Sequence, residues 1–165
     1  MSWTAPPTFV TGAVLTATSL QTLSDDLTDL DRRTTYSSGG DGSTRTTAST
    51  SYVTLGTAAV TATLGATGKA LVTLYSSFQG DTIGMLVVLS YAITGAASYG
   101  PSDSDAVTYQ VANTLYSARY GATHLADIGV GSSGRSCTFT TKYKVNAGGI
   151  GSFKDSRITV CPLGA

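Results

Sequence analysis

The chain has 165 residues, a formal net charge of zero and a charged fraction of only 12%, about half the share found in an ordinary globular protein. All ten acidic residues are Asp, and Ser and Thr together make up about 29% of the chain. The balanced charge excludes a basic nucleic-acid-binding protein, because such proteins neutralise phosphates with an excess of Lys and Arg. Thr, Val and Tyr favour strands, whereas Glu and Lys, the usual residues of exposed helices, are absent or scarce. Most of the chain is therefore predicted to be β-structure.

No segment of the sequence is predicted to insert into a membrane. The start of the chain, Met1 to Pro7, lacks both the basic residues and the apolar stretch of a secretory signal. The longest apolar run, Ile83 to Ile93, is interrupted by Gly84 and Ser90 and is too short to span a bilayer. We therefore expect a soluble protein made in the cytoplasm, where its two cysteines would be reduced.

Residues 1–35 are predicted to form an N-terminal anchor that binds a partner protein. Its candidate contact residues are Trp3, Pro6, Pro7, Phe9 and Val10. The prolines exclude a helix at this point, and a large exposed Trp beside a rigid Pro-Pro pair suits docking into a partner's groove. The alternative is that Trp3 folds back on its own chain.

A short helix of about sixteen residues is predicted to follow, with Thr16 as its N-cap. Four leucines recur at spacings of three, four and three residues, which is the stripe that packs in a coiled coil. They are Leu20, Leu23, Leu27 and Leu30. A helix about 24 Å long is marginal alone, so this stripe must be buried against copies of itself or against its own β-domain. The first alternative predicts a homotrimer with the helices at its axis.

The rest of the chain is divided into a linker and a β-domain. Residues 36–51 are rich in Gly, Ser and Thr and have no periodicity, which predicts a flexible linker. Residues 52–165 show short strand-like stretches separated by turn residues, a pattern that predicts an antiparallel β-sandwich or jelly roll. The predicted strands are Tyr52–Leu55, Ala58–Leu64, Lys69–Phe78, Thr82–Ile93, Ala106–Val111, Thr114–Tyr120, Ala126–Val130, Thr138–Val145 and Ser152–Val160.

The two cysteines lie at the outer ends of the last two predicted strands. If these strands form a hairpin about Gly149, Cys137 comes opposite Cys161. The two side chains are out of phase, however, so a disulfide would require a β-bulge, for example near Asp155. Two free thiols are the other possibility.

The residues that carry enzymatic chemistry do not form a recognisable pattern in this sequence. The single histidine, His124, is accompanied by Asp127 but by no nucleophile elbow. Gly65–Lys69 lacks the spacing of a phosphate-binding loop, and Asp103 and Asp105 do not fit a twelve-residue calcium loop. We expect no enzymatic activity, no cofactor and no metal site.

Two parts of the sequence resemble a known group of proteins. The segment Trp3–Ala17 (WTAPPTFVTGAVLTA), followed by a helix rich in Leu and Asp, resembles the N-terminus of many minor tail and virion surface proteins of tailed bacteriophages. The β-domains of the same proteins are similar to four later segments. These are Ser90–Ala96 (SYAITGA), Ser102–Ala106 (SDSDA), Thr138–Lys144 (TFTTKYK) and Arg157–Leu163 (RITVCPL).

The resemblance implies a structural component of a virion, namely a capsid decoration, head fibre or minor tail protein, assembled in the bacterial cytoplasm. Such proteins are commonly trimeric, attach to other virion proteins through an N-terminal anchor, and display a head that resembles the tumour-necrosis-factor type of jelly roll. The alternative function is that of an adhesin whose head recognises a glycan on the host surface.

The anchor hypothesis makes a prediction about Trp3. If this side chain fills a pocket on another particle protein, the substitution Trp3→Ala is expected to weaken attachment by about 2 kcal/mol or more, as for other buried aromatic contacts. The β-domain should keep its melting temperature. Particle occupancy and thermal unfolding of the variant distinguish the alternatives, since unchanged occupancy with a destabilised β-domain would mean that Trp3 is an ordinary core residue.

Overall fold

The structure is a computed structural model. It describes residues 36–56, 58–129, 131 and 134–164, together with five residues of the N-terminal segment. Those five, Ala17, Thr18, Leu20, Gln21 and Ser24, are helical, in agreement with the helix predicted after Thr16. The other residues of the predicted anchor and leucine stripe lie outside the described residues. They are Trp3, Pro6, Pro7, Phe9, Val10, Leu23, Leu27 and Leu30.

The described part of the chain contains nine β-strands. They are β1 (Ser37–Asp41), β2 (Arg45–Thr47), β3 (Ala59–Thr63), β4 (Lys69–Gly80), β5 (Leu86–Gly95), β6 (Val107–Gln110), β7 (Ala118–Asp127), β8 (Ser136–Val145) and β9 (Gly151–Leu163). Strands β3, β4, β6, β8 and β9 agree with the sequence predictions to within a few residues. Strand β5 begins later than predicted, so Ile83 lies in the preceding turn.

The strands form two antiparallel sheets that pack face to face. The first sheet has the order β1-β9-β4-β7, with β2 also pairing with β9, and the second has the order β3-β8-β5-β6. From β3 onward, every connection except the one between β5 and β6 crosses from one sheet to the other. This winding is that of a jelly roll. The predicted fold, an antiparallel β-sandwich or jelly roll, is confirmed.

The two ends of the sandwich differ in what they carry. At one end, which we call the near end, Tyr36 precedes β1 and Leu163 pairs with Lys69. The opposite, far end carries the connections 81–85, 111–117 and 146–150, which are joined by backbone hydrogen bonds such as that from Asp81 N to Ile150 O. The N-terminal segment therefore joins the sandwich at the near end.

The predicted linker is wrong for most of its length. Ser37–Asp41 pairs with Val160 to Ser156 of β9, and Arg45–Thr47 pairs with Phe153 to Gly151. Glycine is required here by close packing: a Cβ at Gly39 would lie 2.1 Å from the carbonyl oxygen of Ala59 in the other sheet. The glycines that indicated flexibility therefore allow close contact between the sheets, and the β-sandwich begins at Ser37.

The predicted hairpin between the last two strands is also wrong. Strand β8 pairs with β3 and β5 in the second sheet, whereas β9 pairs with β1, β2 and β4 in the first. Cys137 is buried in one sheet and Cys161 is half-buried in the other, and no disulfide joins them. The turn near Gly149 therefore crosses between the sheets instead of connecting neighbours in one sheet.

An aromatic cluster joins the two sheets in the core. Phe153 of β9 meets Phe78 of β4 edge to face at 5.8 Å and Tyr143 of β8 edge to face at 4.8 Å between ring centroids. All three side chains are fully buried. Such pairs contribute roughly 0.5–1.5 kcal/mol each beyond the burial of their surface, so this cluster is a main contact between the sheets.

A β-bulge interrupts the pairing of β4 with β9. The register shifts between Tyr75, opposite Arg157, and Ser77, opposite Lys154. Asp155 has a positive φ of 54°, a conformation that Asp tolerates better than most residues. The bulge suggested near Asp155 from the sequence is thus present, although no disulfide requires it.

Asp41 closes the turn between β1 and β2. Its carboxylate accepts hydrogen bonds from Ser43 N and from Arg45 Nε, both at 2.9 Å. The backbone N–H of Ser43, followed by the Arg45 guanidinium, lowers the pKa of Asp41, because both stabilise the charged form. A Cβ added at Gly56 would lie only 2.2 Å from Oδ2 of Asp41. Glycine at position 56 therefore leaves room for the Asp41 carboxylate.

The pairing of β1 and β2 predicts where the chain can be shortened. A chain starting at residue 36 keeps both strands and is expected to unfold at the temperature of the full-length protein. A chain starting at residue 48 loses eight residue pairs with β9 and is expected to lose at least about 2 kcal/mol of stability, at roughly 0.5–1.5 kcal/mol per hydrogen bond. Circular dichroism during heating measures both, and equal melting temperatures would contradict the role of β1 and β2.

Asp41 makes the stability of the sandwich sensitive to acid. Because its pKa in the folded state is lowered, its contribution is present at neutral pH and is lost as the pH falls below the ordinary value of 3.8 and through the folded-state pKa. The variant Asp41→Asn should cost about 1.5–3 kcal/mol at neutral pH, since it weakens hydrogen bonds to a charged group. Urea unfolding measures the free energy of unfolding of both proteins, and the difference between wild type and variant should narrow toward pH 3. A difference that stays constant with pH would contradict the stabilising role of the Asp41 carboxylate.

Candidate self-association surface

The outer face of the first sheet is set by the alternation along β4. Residues at even positions from Ala70 to Phe78 point into the core and are buried, whereas Leu71, Thr73 and Tyr75 point outward. Strands β7 and β9 flank β4 in antiparallel register, so their side chains extend the same rows across the sheet. One of these rows is polar: Thr73 lies opposite Thr123 and Thr159, with the Thr73 and Thr123 hydroxyls 2.8 Å apart.

The next row, closer to the near end, is apolar and exposed. Leu71 lies opposite Leu125 on one side and Cys161 on the other. Leu125 is 55% exposed and Leu71 38%, and Tyr36, just before β1, is 67% exposed. We call these four residues the apolar row. Aliphatic and aromatic side chains grouped in this way on a surface indicate a contact with another molecule.

A second exposed apolar surface lies at the open edge of the sandwich between β6 and β7. Among the described residues β7 pairs only with β4, so its other side has no strand to satisfy its backbone N–H and C=O groups. Tyr120 of β7 is 48% exposed and stacks on Tyr109 of β6 with 5.6 Å between ring centroids. Leu115 and Tyr116, in the preceding connection, are 80% and 68% exposed. Unpaired edges are usually protected by charged side chains or Pro, and in β7 the charged residues lie only at the two ends, Arg119 and Asp127.

The outer face of the second sheet is different, because loops cover part of it. Ser90 and Val88 point outward from β5 but are buried. The Ser90 hydroxyl donates to the carbonyl oxygen of Ser102 at 2.9 Å, which holds the connection between β5 and β6 over the sheet. The middle of β5 is therefore covered on both faces.

A polar cluster fastens this covering loop to its neighbours. Lys144 of β8 forms an ion pair with Asp103 at 2.6 Å and lies 4.6 Å from the ring centre of Tyr52. The Tyr52 hydroxyl donates to Asp103 at 2.6 Å. The Lys144 ammonium, and then the Tyr52 hydroxyl, lower the pKa of Asp103, while burial raises the pKa of Tyr52. Asp103, considered above as a calcium ligand, is thus engaged by side chains of this chain.

Two buried polar atoms have no hydrogen-bond partner among the described residues. They are the Tyr91 hydroxyl, on a side chain that is 1% exposed, and Nε2 of His124. Burial, with a smaller contribution from the charge of Asp105, raises the pKa of Tyr91. Within the described part of the chain, no three His, Cys or Asp side chains lie close enough to hold a metal ion together.

The predicted oligomer seam is only partly described. Leu20 lies on the helix and is 52% exposed, and the other three leucines lie outside the described residues. The exposed edge of β7 was not predicted from the sequence, because the residues of β7 were divided between the predicted strands Thr114–Tyr120 and Ala126–Val130. The available signal was the alternation of exposed Thr123 and Leu125 with Ala122 and Ala126, which is weak because alanine marks neither face strongly.

The fold and these surfaces define a jelly-roll β-sandwich with two exposed apolar surfaces on adjacent sides. No protein-family model matches the sequence, and no curated protein is significantly similar to it. No helix among the described residues has the length and apolar character needed to cross a membrane.

Proposed function

We propose that this protein is a structural component of a bacteriophage virion, a capsid decoration, head fibre or minor tail protein, that forms a homotrimer and displays its β-sandwich on the particle surface. The observation that carries the self-association is the pair of exposed apolar surfaces, the apolar row and the β6–β7 edge. The assignment to a virion is supported by the resemblance of Trp3–Ala17 and of four segments of the β-domain to phage tail and surface proteins.

The presence of two different surfaces favours a ring over a two-fold dimer. In a two-fold dimer the same patch meets itself, so one apolar surface would be enough. When two different surfaces lie on adjacent sides, the edge of one copy can pack against the face of the next, and such head-to-tail contacts form a ring when the rotation between copies closes and an open filament when it does not. We propose that Tyr120 and Tyr116 of one copy contact Leu125 and Leu71 of its neighbour, and that three copies close the ring.

The N-terminal helix comes just before the near end of the sandwich in the sequence, so it can join this contact. It precedes Tyr36, which lies at the near end beside the apolar row, and its Leu20 is 52% exposed. Three such helices would bury their leucines together and direct the N-terminal anchor toward the same side of the ring. A coiled coil of about one and a half heptads is weak alone, so the β-sandwiches supply most of the contact.

The trimer is tested by mass in solution with two matched variants. Light scattering after size-exclusion chromatography is expected to give three times the 16.8 kDa mass of the chain. Leu125→Asp places a charge in the proposed contact and should give monomers. Ile83→Asp changes another exposed aliphatic residue, 70% exposed at the far end, and should leave the trimer intact. A monomeric or dimeric wild type, or equal behaviour of the two variants, would contradict the proposal.

The assignment to the particle needs a separate test. Antibodies raised against the β-sandwich are expected to label the exterior of intact particles purified from the source of this chain, as seen by electron microscopy. The absence of the chain from such particles, measured by mass spectrometry, would refute the virion assignment and leave the self-association unaffected.

A further inference from the structure

The outer face of the first sheet carries three cations near the far end. Arg119 of β7 and Lys154 of β9 lie opposite Ser77 of β4 from its two sides, and Arg157 of β9 lies opposite Tyr75. Arg119, Lys154 and Arg157 are exposed, and Tyr75 is half-buried between them. We call these five residues the basic patch.

The three cations occupy neighbouring register positions on the two sides of β4. Adjacent strands are about 4.8 Å apart, so the backbones carrying Arg119 and Lys154, on either side of β4, are separated by roughly 10 Å. Arg157 lies alongside Gly40 of β1, where an added Cβ would be 3.4 Å from the arginine Cγ. Because residue 40 is glycine, no side chain of β1 covers the Arg157 side chain at this position.

No carboxylate of the described residues neutralises the basic patch. The ion pairs among the described residues are Asp41–Arg45, Lys69–Asp127 and Lys144–Asp103. None of them includes Arg119, Lys154 or Arg157. Asp155 is the nearest acidic residue in the sequence, but it occupies the bulge, and its carboxylate lies beside Gly42, where a Cβ would be 3.9 Å from Oδ1. Since the whole chain has no net charge, this local excess of positive charge is a property of one face.

We infer that the basic patch binds an acidic polysaccharide. The guanidinium groups and the ammonium would pair with carboxylate or sulfate groups on successive sugars, because the fork of Arg can donate two parallel hydrogen bonds to the oxygens of one oxyanion. A sugar ring would lie against Tyr75, and Ser152 and Thr46, in the next outward row toward the far end, would offer hydroxyls. The flat face of a sheet suits an extended polymer better than a small anion, which would need an enclosed pocket.

Nucleic acid fits the same patch less well. Proteins that bind DNA or RNA through phosphates use many cations and carry an excess of positive charge, whereas the basic patch offers three. The inference goes beyond the structural role proposed above and does not require the trimer, because all the patch residues belong to one copy.

The inference is tested with probes that differ only in charge. Isothermal titration of the full-length protein is expected to show binding of dextran sulfate, none of unmodified dextran, and weaker binding as salt is raised, because salt screens exposed charges. The double variant Lys154→Gln, Arg157→Gln should bind at least tenfold more weakly. The matched control Arg135→Gln, Lys142→Gln removes the same charges from outside the patch and should bind within twofold of the wild type.

Three further results would overturn the inference. The first is an equal loss of dextran sulfate affinity in the two double variants. The second is binding of duplex DNA as tight as that of dextran sulfate. The third is inhibition of binding by free sulfate at a concentration equal to that of the sulfate groups in the polymer. Should the patch variant fail to fold, Arg119→Gln on the edge strand gives a second measurement, with an expected loss of at least threefold. The mass of each variant is measured in parallel, so that failure of the trimer is distinguished from failure of the patch.

Discussion

The pairing of β4 with β9 is the constraint on which most of this structure depends. These two strands are the longest, they lie at the centre of the first sheet, and every other strand of that sheet is attached to one of them. Their inward faces bring Phe78 and Phe153 together against Tyr143 of the second sheet. The partners are far apart in the sequence, so the loop closure that joins them is costly and places this fold among those that form slowly.

The bulge at Asp155 determines which side chains β9 presents on each face. In a regular strand, residues separated by an odd number point to opposite faces. Phe153 and Ile158 are five positions apart, yet both are fully buried, because the extra residue shifts the alternation between them. The same shift places Lys154 and Arg157, three positions apart, together on the outer face. One additional residue thus completes the core and creates the basic patch.

The parts of the fold that could be predicted from the sequence are those with strong alternation. Phe139, Tyr143 and Val145 of β8 alternate with Thr and Lys and are fully buried, as expected of a half-buried strand. Strand β1 was missed because Gly and Ser are poor strand formers alone, and β2 was missed because its three residues are too few to show alternation. Their pairing with β9 becomes visible only in three dimensions. The sequence separation between β1 and its partner in β9 exceeds one hundred residues, so no local pattern indicates it.

The candidate surfaces were less predictable than the core. The leucine stripe was visible as a periodic pattern, but the apolar row consists of single residues from β4, β7 and β9 that meet only through strand register. The same is true of Arg119, Lys154 and Arg157, which are unremarkable charges in the sequence. A surface assembled from residues of several strands leaves no spacing motif, whereas a helical stripe does.

The position of β1 has a mechanical consequence. The chain enters the sandwich at the near end through Tyr36, and β1 then runs toward the far end alongside β9. A pulling force between an anchored N-terminus and a ligand held on the outer face would act along the strands. Because β1 would have to slide past β9, its ladder hydrogen bonds would bear that load together instead of breaking one after another. A domain attached in this way resists detachment under flow more strongly than its equilibrium stability alone would indicate.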